Sequence, residues 1–233
     1  MGPLPAPDPR ERIIRAARSL GPLGINQGKS GNVSARTPDG VLITPSGIAY
    51  EDLTPEMIVF MGMDGTYTGR FAPSSEWRMH LAIYRERPEA GAVVHVHSTF
   101  ATALACLRRP IPPFHYMVAM AGGTSIEVAD YATFGTQALC DAMMRALEGR
   151  RACLLANHGQ IAFGADLGKA LDLAMEVEAL ARQYWHARSL GEPVLLDAAE
   201  MAEVLRRFQA YGKPAEARTA EDDRILELPP RRP

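Results

Sequence analysis

The segment Ala92-Val93-Val94-His95-Val96-His97 combines β-branched residues with histidines at alternate positions. Such a composition predicts a buried β-strand, in which side chains two residues apart point to one face, roughly 6.5–7 Å apart. His95 and His97 should therefore project together, with Val96 buried on the other face. A metal ion bound to each imidazole at about 2.0–2.1 Å could bridge the two rings.

A third histidine follows another apolar segment, because Asn157-His158-Gly159 comes directly after the predicted strand 153–156. Three neutral imidazoles, with a fourth position left for water, a carboxylate or substrate, are typical of a catalytic zinc site. The spacing alone leaves two interpretations open, since paired histidines on a strand also occur as packing or solvent-facing residues. His80, one helical turn after Glu76, is expected to hydrogen-bond near the ligands, and His186 is expected at the surface.

Three short segments rich in glycine, serine and asparagine offer backbone amides to a small anion. They are Gly28-Lys29-Ser30-Gly31-Asn32, Thr44-Pro45-Ser46-Gly47 and Ser74-Ser75. Ser74 is expected to cap a helix, where unpaired amides and the helix dipole favour an anion. Each segment alone is also typical of an ordinary turn, but three together, one with a lysine, indicate a phosphate pocket. The chain lacks Gly-x-x-x-x-Gly-Lys-Ser/Thr, which excludes a nucleotide-binding P-loop.

Length and composition indicate the class of protein. The chain has 233 residues, 47% of them hydrophobic, and a formal net charge of -2. These values fit one α/β domain or barrel with a substantial core, and they give no bulk field that would attract nucleic acid. No run is long and apolar enough to span a bilayer. We therefore expect neither nucleic acid nor a membrane as a partner.

The cysteines indicate the cellular compartment. Cys106, Cys140 and Cys153 lie in separate apolar stretches, which predicts three reduced and buried thiols. Residues 1–7 lack the apolar core that a signal peptide needs. We therefore expect a cytoplasmic protein.

Hydrophobic periodicity predicts alternating helices and strands. The predicted helices are 10–20, 74–87, 98–107, 136–147, 167–190 and 198–211. The predicted strands are 32–36, 41–44, 58–61, 92–97, 153–156 and 161–163, the first two joined by a hairpin turn at Pro38-Asp39-Gly40. This order indicates a single domain over residues 1–233 with a mixed or antiparallel sheet between helix layers. Residues 1–9 and 214–233 are expected to be flexible tails.

Taken together, these motifs resemble the class II aldolase/adducin family, in one register from about residue 11 to residue 211. Within that family the similarity is greatest to members that act on L-fuculose 1-phosphate. The resemblance implies a three-layer α/β/α sandwich with a mostly antiparallel central sheet, assembled as a homotetramer with active sites at subunit interfaces. The segments that carry it are 23–28, 31–34, 42–48, 73–78, 93–97, 115–117, 131–136 and 157–159.

The same resemblance implies roles for particular residues. It implies one Zn²⁺ per subunit, with Mn²⁺ or Co²⁺ as alternatives, on His95, His97 and His158. Glu76 is implied as the catalytic residue and as a further metal ligand. Phosphate binding is implied for Gly31, Asn32, Ser46, Gly47, Ser74 and Ser75, to which we add Lys29.

Aromatic residues are implied at the other end of the substrate. Tyr116 is thereby a candidate acid for the leaving aldehyde oxygen. Tyr116 and Tyr211 also resemble tyrosines that reach a neighbouring subunit's active site. Phe134 resembles a residue near the aldehyde. The chain departs from the family at Lys29-Ser30, where small neutral residues are usual, and at Asn157, which replaces a histidine.

The implied reaction is that of a lyase: a zinc-dependent aldolase reversibly cleaves a ketose 1-phosphate of the L-fuculose 1-phosphate type to dihydroxyacetone phosphate and an aldehyde. Aldolases of 5-methylthioribulose 1-phosphate or 5-deoxyribulose 1-phosphate, which serve salvage pathways, are an alternative. A pentulose-phosphate 4-epimerase, a related dehydratase and a non-catalytic adducin-like scaffold are further alternatives. The epimerase is disfavoured by Glu76 in place of an aspartate, and the scaffold by the complete set of metal-binding residues.

Overall fold

The computed structural model describes residues 8–227, and within this range the chain forms one sheet with helices on both faces. The helices are α1 (Pro9–Ser19), α2 (Trp77–Glu86), α3 (Thr99–Cys106), α4 (Gln137–Ala146), α5 (Leu167–Leu190), α6 (Ala198–Ala210) and α7 (Ala220–Ile225). The strands are β1 (Asn32–Thr37), β2 (Gly40–Ile43), β3 (Val59–Gly62), β4 (Tyr67–Thr68), β5 (Ala92–Val96), β6 (Val128–Ala129), β7 (Ala152–Leu155) and β8 (Gly159–Gly164). Short 3-10 helices lie at Tyr50–Asp52, Pro55–Met57, Tyr116–Ala121 and Ala215–Ala217.

The strands of the described residues pair in the order β4-β3-β2-β1-β5-β8-β7-β6. Every neighbouring pair is antiparallel except β6 and β7, which run parallel. The predicted mostly antiparallel sheet is therefore confirmed. The predicted hairpin is confirmed as well, because β1 and β2 pair directly with Thr37 opposite Gly40. Strand β5 lies in the interior of the sheet, between β1 and β8.

Strand β5 shows how the two faces of the sheet are used. Val94 and Val96 pack with α1, α3 and α5 in one apolar cluster, whereas Val93 packs with α2 and α4 in a second cluster. Since side chains alternate along a strand, His95 lies on the same face as Val93. Both clusters are fully buried at this strand, and each large apolar side chain there contributes about 1.5–3 kcal/mol. The three-layer α/β/α architecture is thus confirmed.

Helix α2 starts later than predicted. The sequence predicts a start at Ser74 with an acidic first turn, but the helix begins at Trp77 with Glu76 at its N-cap. The reason is that the Ser74 amide donates to the Thr44 carbonyl at 3.0 Å, and Pro45 and Pro73 form an isolated β-bridge. These contacts hold the chain extended up to Ser74, so Glu76 stands at the start of the helix, not inside its first turn.

The prediction of three buried cysteines is wrong for one of them. Cys140 and Cys153 are buried, but Cys106 is exposed. Cys106 is the last residue of α3, and the chain turns outward immediately after it, with Leu107 exposed at 66%. Apolar neighbours in sequence therefore did not imply burial at this helix end.

The predicted tails lie partly outside residues 8–227. Of the rest, Pro9 begins α1, with the Asp8 side chain accepting from the Arg10 amide. Residues 214–227 contain α7, whose start is stabilised by a capping box between Thr219 and Asp222. That helix was not predicted, and the flexibility of the two ends stays a prediction. Among residues 8–227, no helix is long and apolar enough to cross a membrane.

Candidate metal centre

Strand β5, the turn between β7 and β8, and the start of helix α2 converge on one point. His95 lies on β5, His97 directly follows it, His158 lies in the turn between β7 and β8, and Glu76 stands at the N-cap of α2. Their four potential ligand atoms all lie within 4.8 Å of one another. The predicted set of His95, His97, His158 and Glu76 is thus brought together.

The distances within this cluster resemble those of a coordination shell. Nε2 of His95 lies 3.0 Å from Oε2 of Glu76, and Nε2 of His158 lies 3.1 Å from Oε1. Nε2 of His95 and Nε2 of His97 are 3.1 Å apart. Ligands at about 2.0–2.1 Å from a tetrahedral ion stand roughly 3.3–3.4 Å from each other. The spacing therefore fits a single small cation at the centre.

The arrangement also leaves polar atoms that a cation would satisfy. Glu76 is 5% exposed, and among residues 8–227 its Oε1 has Nε2 of His158 at 3.1 Å but makes no well-aligned hydrogen bond. The three imidazole rings meet edge to edge, with centroids 4.8–5.0 Å apart. Nitrogen and carboxylate oxygen are donors that suit zinc and similar divalent metals. The residues present therefore fit a divalent transition-metal ion.

A left-handed backbone residue delivers His158 to this point. Asn157 has φ of 54°, a conformation that asparagine tolerates better than most residues. The His158 amide donates to the Leu155 carbonyl at 3.0 Å and closes a tight turn between β7 and β8. Because β8 pairs with β5, this turn lies beside His97.

The three predicted anion-binding loops are neighbours in space. The amide of Ser46 donates to the Ala72 carbonyl at 3.1 Å, which joins the second loop to the segment before Ser74-Ser75. Nζ of Lys29 donates to the Gly47 carbonyl at 2.7 Å, which joins the first loop to the second. Gly31 lies between these loops and β5, and its carbonyl accepts from the Tyr50 hydroxyl. Loops far apart in the sequence thus form one surface.

A cavity of about 270 Å³ joins the metal cluster to Ser30 and Ser75 of the anion-binding loops. The other residues predicted to bind phosphate do not line it, namely Lys29, Gly31, Asn32, Ser46, Gly47 and Ser74. Phe134 lines it, as the sequence analysis expected, and Ser75 lies on its wall beside Glu76. Tyr131 and Ala132 also line the cavity, which the sequence analysis did not predict. Their position just before Phe134 in the sequence could have indicated this. The full lining is Ser30, Ser75, Glu76, His97, Tyr131, Ala132, Phe134, Asn157 and His158.

Two predicted tyrosines lie elsewhere in the chain. Tyr116 and Tyr211 are 51% and 70% exposed, and they line a separate cavity of about 240 Å³ together with Met117 and Phe208. One chain by itself does not bring them to the metal cluster. Their predicted contribution to a neighbouring subunit's site stays a prediction.

Comparison with known proteins decides the family. A family model described as Class II Aldolase and Adducin N-terminal domain matches residues 11–185. The chain belongs to this family. The 5-methylthioribulose-1-phosphate/5-deoxyribulose-1-phosphate aldolase of Rhodospirillum rubrum is 54% identical over 89% of the chain and 94% of that protein. The L-fuculose phosphate aldolase of Escherichia coli K12 is 50% identical over 86% of the chain and 94% of that protein.

A solved L-fuculose 1-phosphate aldolase has the same fold, with a TM-score of 0.85 at 40% identity over 88% of this chain and 97% of that one. The chain is therefore a class II aldolase, an enzyme of a metal-dependent class. Its cluster of one glutamate and three histidines could bind the metal.

Electrostatics in the aldolase site favour a charged glutamate. Burial alone would raise the pKa of Glu76, but His95 and His158 outweigh it and hold that pKa well below its usual range. Burial also lowers the pKa of His97, as do the charges of His95 and His158, to about 4. Burial would lower the pKa of His95, but the carboxylate of Glu76 raises it overall. A proton and a cation compete for the same nitrogen of His95, so the affinity for a cation should fall in acid.

Neighbouring groups orient the ligands of the aldolase, and the sequence did not reveal them. Nδ1 of His95 donates to the Gln160 carbonyl at 2.8 Å, which leaves Nε2 free to face the cluster. The Gln160 side chain is fully buried and donates to Ser98 and to the Ala174 carbonyl. The His97 amide donates to Asn26 at 3.0 Å. A glutamine inside an apolar strand could have marked Gln160 as a residue of interest. Its contact with His95 depends on the register between β5 and β8, which the sequence does not show.

Proposed function

We propose that this aldolase reversibly cleaves a ketose 1-phosphate to dihydroxyacetone phosphate and an aldehyde, with a divalent cation, zinc in the first instance, held by His95, His97 and His158. The observation that carries the proposal is the cavity that Glu76, His97 and His158 line together with Ser75. A cation-binding cluster beside an anion-binding surface fits a substrate with a phosphate at one end and vicinal oxygen atoms next to it. The names of two relatives, a 5-methylthioribulose-1-phosphate/5-deoxyribulose-1-phosphate aldolase and an L-fuculose phosphate aldolase, support the same substrate class.

Each group of residues would have its own task. The amides of Gly47 and Ser75 and the hydroxyls of the Ser46-Gly47 and Ser74-Ser75 loops bind the phosphate, with Lys29 adding positive charge. The Ser46 and Ser74 amides are already paired with the Ala72 and Thr44 carbonyls. A cation in the cluster supplies Lewis-acid stabilisation of the negative charge that develops when the carbon–carbon bond breaks. Glu76 carries the proton to and from the carbon that bears this charge, because it is a buried carboxylate at the cavity wall.

The candidate substrates differ in the half that becomes the aldehyde. Phe134, Tyr131 and Ala132 contribute apolar surface to the cavity, which suits a terminal methyl or methylthio group. L-fuculose 1-phosphate, 5-deoxyribulose 1-phosphate and 5-methylthioribulose 1-phosphate all carry such an end. We therefore hold the fuculose type and the salvage type as equal candidates.

A panel of these three ketose 1-phosphates tests the proposal. Catalytic efficiencies are compared in an assay coupled to the formation of dihydroxyacetone phosphate, with metal-loaded and chelator-treated protein. We expect cleavage that depends on the metal, and the largest kcat/KM identifies the substrate. Conversion of a sugar phosphate without release of dihydroxyacetone phosphate would contradict the proposal and favour an epimerase or a dehydratase.

We further propose a cytoplasmic homotetramer in which Tyr116 and Tyr211 complete a neighbour's active site. The support is their exposure on one cavity with Phe208, away from the cluster of their own chain. Mass measurement in solution tests the assembly. Mixed assemblies of Tyr116→Phe and His158→Ala chains test the shared site, because only a shared site restores activity when two defective chains are combined.

A further inference from the structure

A chain of buried hydrogen bonds leads from Glu76 into the core. Nδ2 of Asn32 donates to Oε2 of Glu76 at 3.0 Å, and Oδ1 of Asn32 lies 2.5 Å from Nε2 of His80. Nδ1 of His80 lies 2.6 Å from Oγ of Ser34, and this Oγ lies 2.8 Å from the hydroxyl of Tyr84. The four residues behind Glu76 are at most 3% exposed. They join β1 to α2 beneath the cavity.

The chemistry of the groups fixes the direction of every hydrogen bond. A carboxylate only accepts, so Asn32 must turn its NH₂ group to Glu76 and its carbonyl oxygen to His80. His80 must then carry its proton on Nε2, which makes Nδ1 an acceptor. Ser34 must donate to that Nδ1, and its oxygen is left to accept from Tyr84. One tautomer and one amide orientation satisfy the whole chain.

The surroundings keep this arrangement in a single state. Burial, together with the positive charge of His95, lowers the pKa of His80 to about 3, so the ring is neutral at physiological pH. Burial raises the pKa of Tyr84 well above its usual range, so its hydroxyl keeps its proton. Apolar side chains in this space would avoid the cost of desolvating polar groups. These hydrogen-bonded residues are therefore better explained by the single arrangement that they enforce than by a gain in folding stability.

We propose that Ser34 and His80 are positioning residues that hold the Asn32 amide in one orientation, so that it binds Oε2 of Glu76 and leaves Oε1 as the oxygen that exchanges a proton with substrate. This inference rests on the proposed role of Glu76 as the proton carrier. Oε1 is the glutamate oxygen that Asn32 does not contact; it lies 3.1 Å from Nε2 of His158, and Glu76 lines the cavity. Without Ser34, His80 can move its proton to Nδ1. Its bare Nε2 would then face the Asn32 oxygen and favour a flipped amide that opposes Glu76.

Two hydroxyl deletions form a matched test. Ser34→Ala removes the donor that sets the His80 tautomer. Tyr84→Phe removes another hydroxyl of the same hydrogen-bond series but leaves Ser34 donating to His80. The readout is deuterium exchange into dihydroxyacetone phosphate, measured with KM, metal content and Tm. We expect Ser34→Ala to slow exchange roughly 10–100-fold, with little change in KM or metal content. Tyr84→Phe should slow exchange less than about threefold, although both variants lose similar stability.

A second pair tests the donor at His80. His80→Gln keeps an N–H group near Asn32 and should exchange faster than His80→Leu, which has none. Equal exchange rates for Ser34→Ala and Tyr84→Phe, or for His80→Gln and His80→Leu, would overturn the proposal. Those results would leave only a structural role for this series of hydrogen bonds.

A spectroscopic measurement separates this inference from the proposed function. Nitrogen NMR of the full-length protein labelled with ¹⁵N-histidine reports which ring nitrogen of His80 bears the proton. We expect the Nε2-protonated tautomer in the wild type, and an Nδ1-protonated or doubly protonated ring near pH 7 would refute the inference. If the wild type shows the expected tautomer but no exchange on dihydroxyacetone phosphate, the proposed function fails instead.

Discussion

Gly159 lies directly against the ring of His97. A Cβ at position 159 would stand 3.0 Å from Cδ2 of that ring and 2.5 Å from the Val96 carbonyl oxygen. Strand β8 begins at Gly159, so this absent side chain is what allows β8 to approach β5 beside the metal-binding cluster. The glycine in Asn157-His158-Gly159 is thus required by close packing.

Replacement of this glycine should loosen the cluster. Gly159→Ala must push β8 or His97 away, which should cost about 1–3 kcal/mol of stability and lower metal affinity. Thermal unfolding and metal content measure the two effects. Gly21→Ala is the control, because a Cβ there meets nothing within 4 Å. A Gly159→Ala protein with unchanged Tm and full metal content would show that the contact is not tight.

The metal should depend on the predicted histidines. We expect one divalent ion per chain in the purified protein, and His158→Ala should lose most of it because an open shell of three ligands becomes two. His186→Ala is the matched control, since His186 is exposed on α5. Elemental analysis after dialysis measures both. Equal metal content in the two variants would place the ion elsewhere.

Glu76 should be needed for proton transfer more than for metal binding. Glu76→Gln keeps the shape and the three imidazoles but removes the base, so deuterium exchange on dihydroxyacetone phosphate should fall by about 10²-fold or more. Metal content should stay close to one per chain. Glu86→Gln, an exposed change on the same helix, controls for charge. Near-normal exchange in Glu76→Gln would remove Glu76 from this role.

Lys29 should affect substrate binding and not the chemical step. Its Nζ donates to the Gly47 carbonyl at 2.7 Å, which places a positive charge between two of the anion-binding loops. Lys29→Met should raise KM about tenfold with kcat little changed, because a charge-assisted contact is lost equally in the ground and transition states. Lys169→Met, on α5, is the control. A fall in kcat at constant KM would argue against phosphate binding by Lys29.

His80 should make the metal-free protein sensitive to acid. Its pKa in the folded state is about 3, below the ordinary value of 6.5, because of burial and the charge of His95 and despite the opposing effect of Glu76. The unfolded chain therefore takes up a proton below about pH 6.5 that the folded chain refuses, so stability falls as pH drops from 6.5 towards 3.

The comparison with His80→Gln isolates this effect, since glutamine does not titrate. The wild type should lose up to about 1.4 kcal/mol per pH unit relative to the variant across that window. Denaturant unfolding of both proteins between pH 7 and pH 4 measures it. Parallel stability curves would mean that His80 is protonated in the folded state as readily as in the unfolded chain.

Local patterns predicted much of the fold. Alternation in Ala92–Val96 predicted a strand with Val96 on one face and His95 on the other, and the two apolar clusters confirm it. The Pro38-Asp39-Gly40 turn predicted the hairpin. Strands β4 and β6 were missed because two residues are too short to show a period. Helix α2 was placed too early because a distant bridge, Pro45 to Pro73, overrides the local capping signal.

The sequence by itself determined which donors this protein has and which face of a strand two of them share, because side-chain chemistry and the alternation of a strand are local properties. Tertiary structure alone decided which groups meet. Asn32 and Glu76 are 44 residues apart in sequence, His80 and Ser34 are 46 apart, and His95 and Gln160 are 65 apart. Contacts over such separations depend on strand order and register, which the packing of both apolar layers fixes together and no short segment encodes.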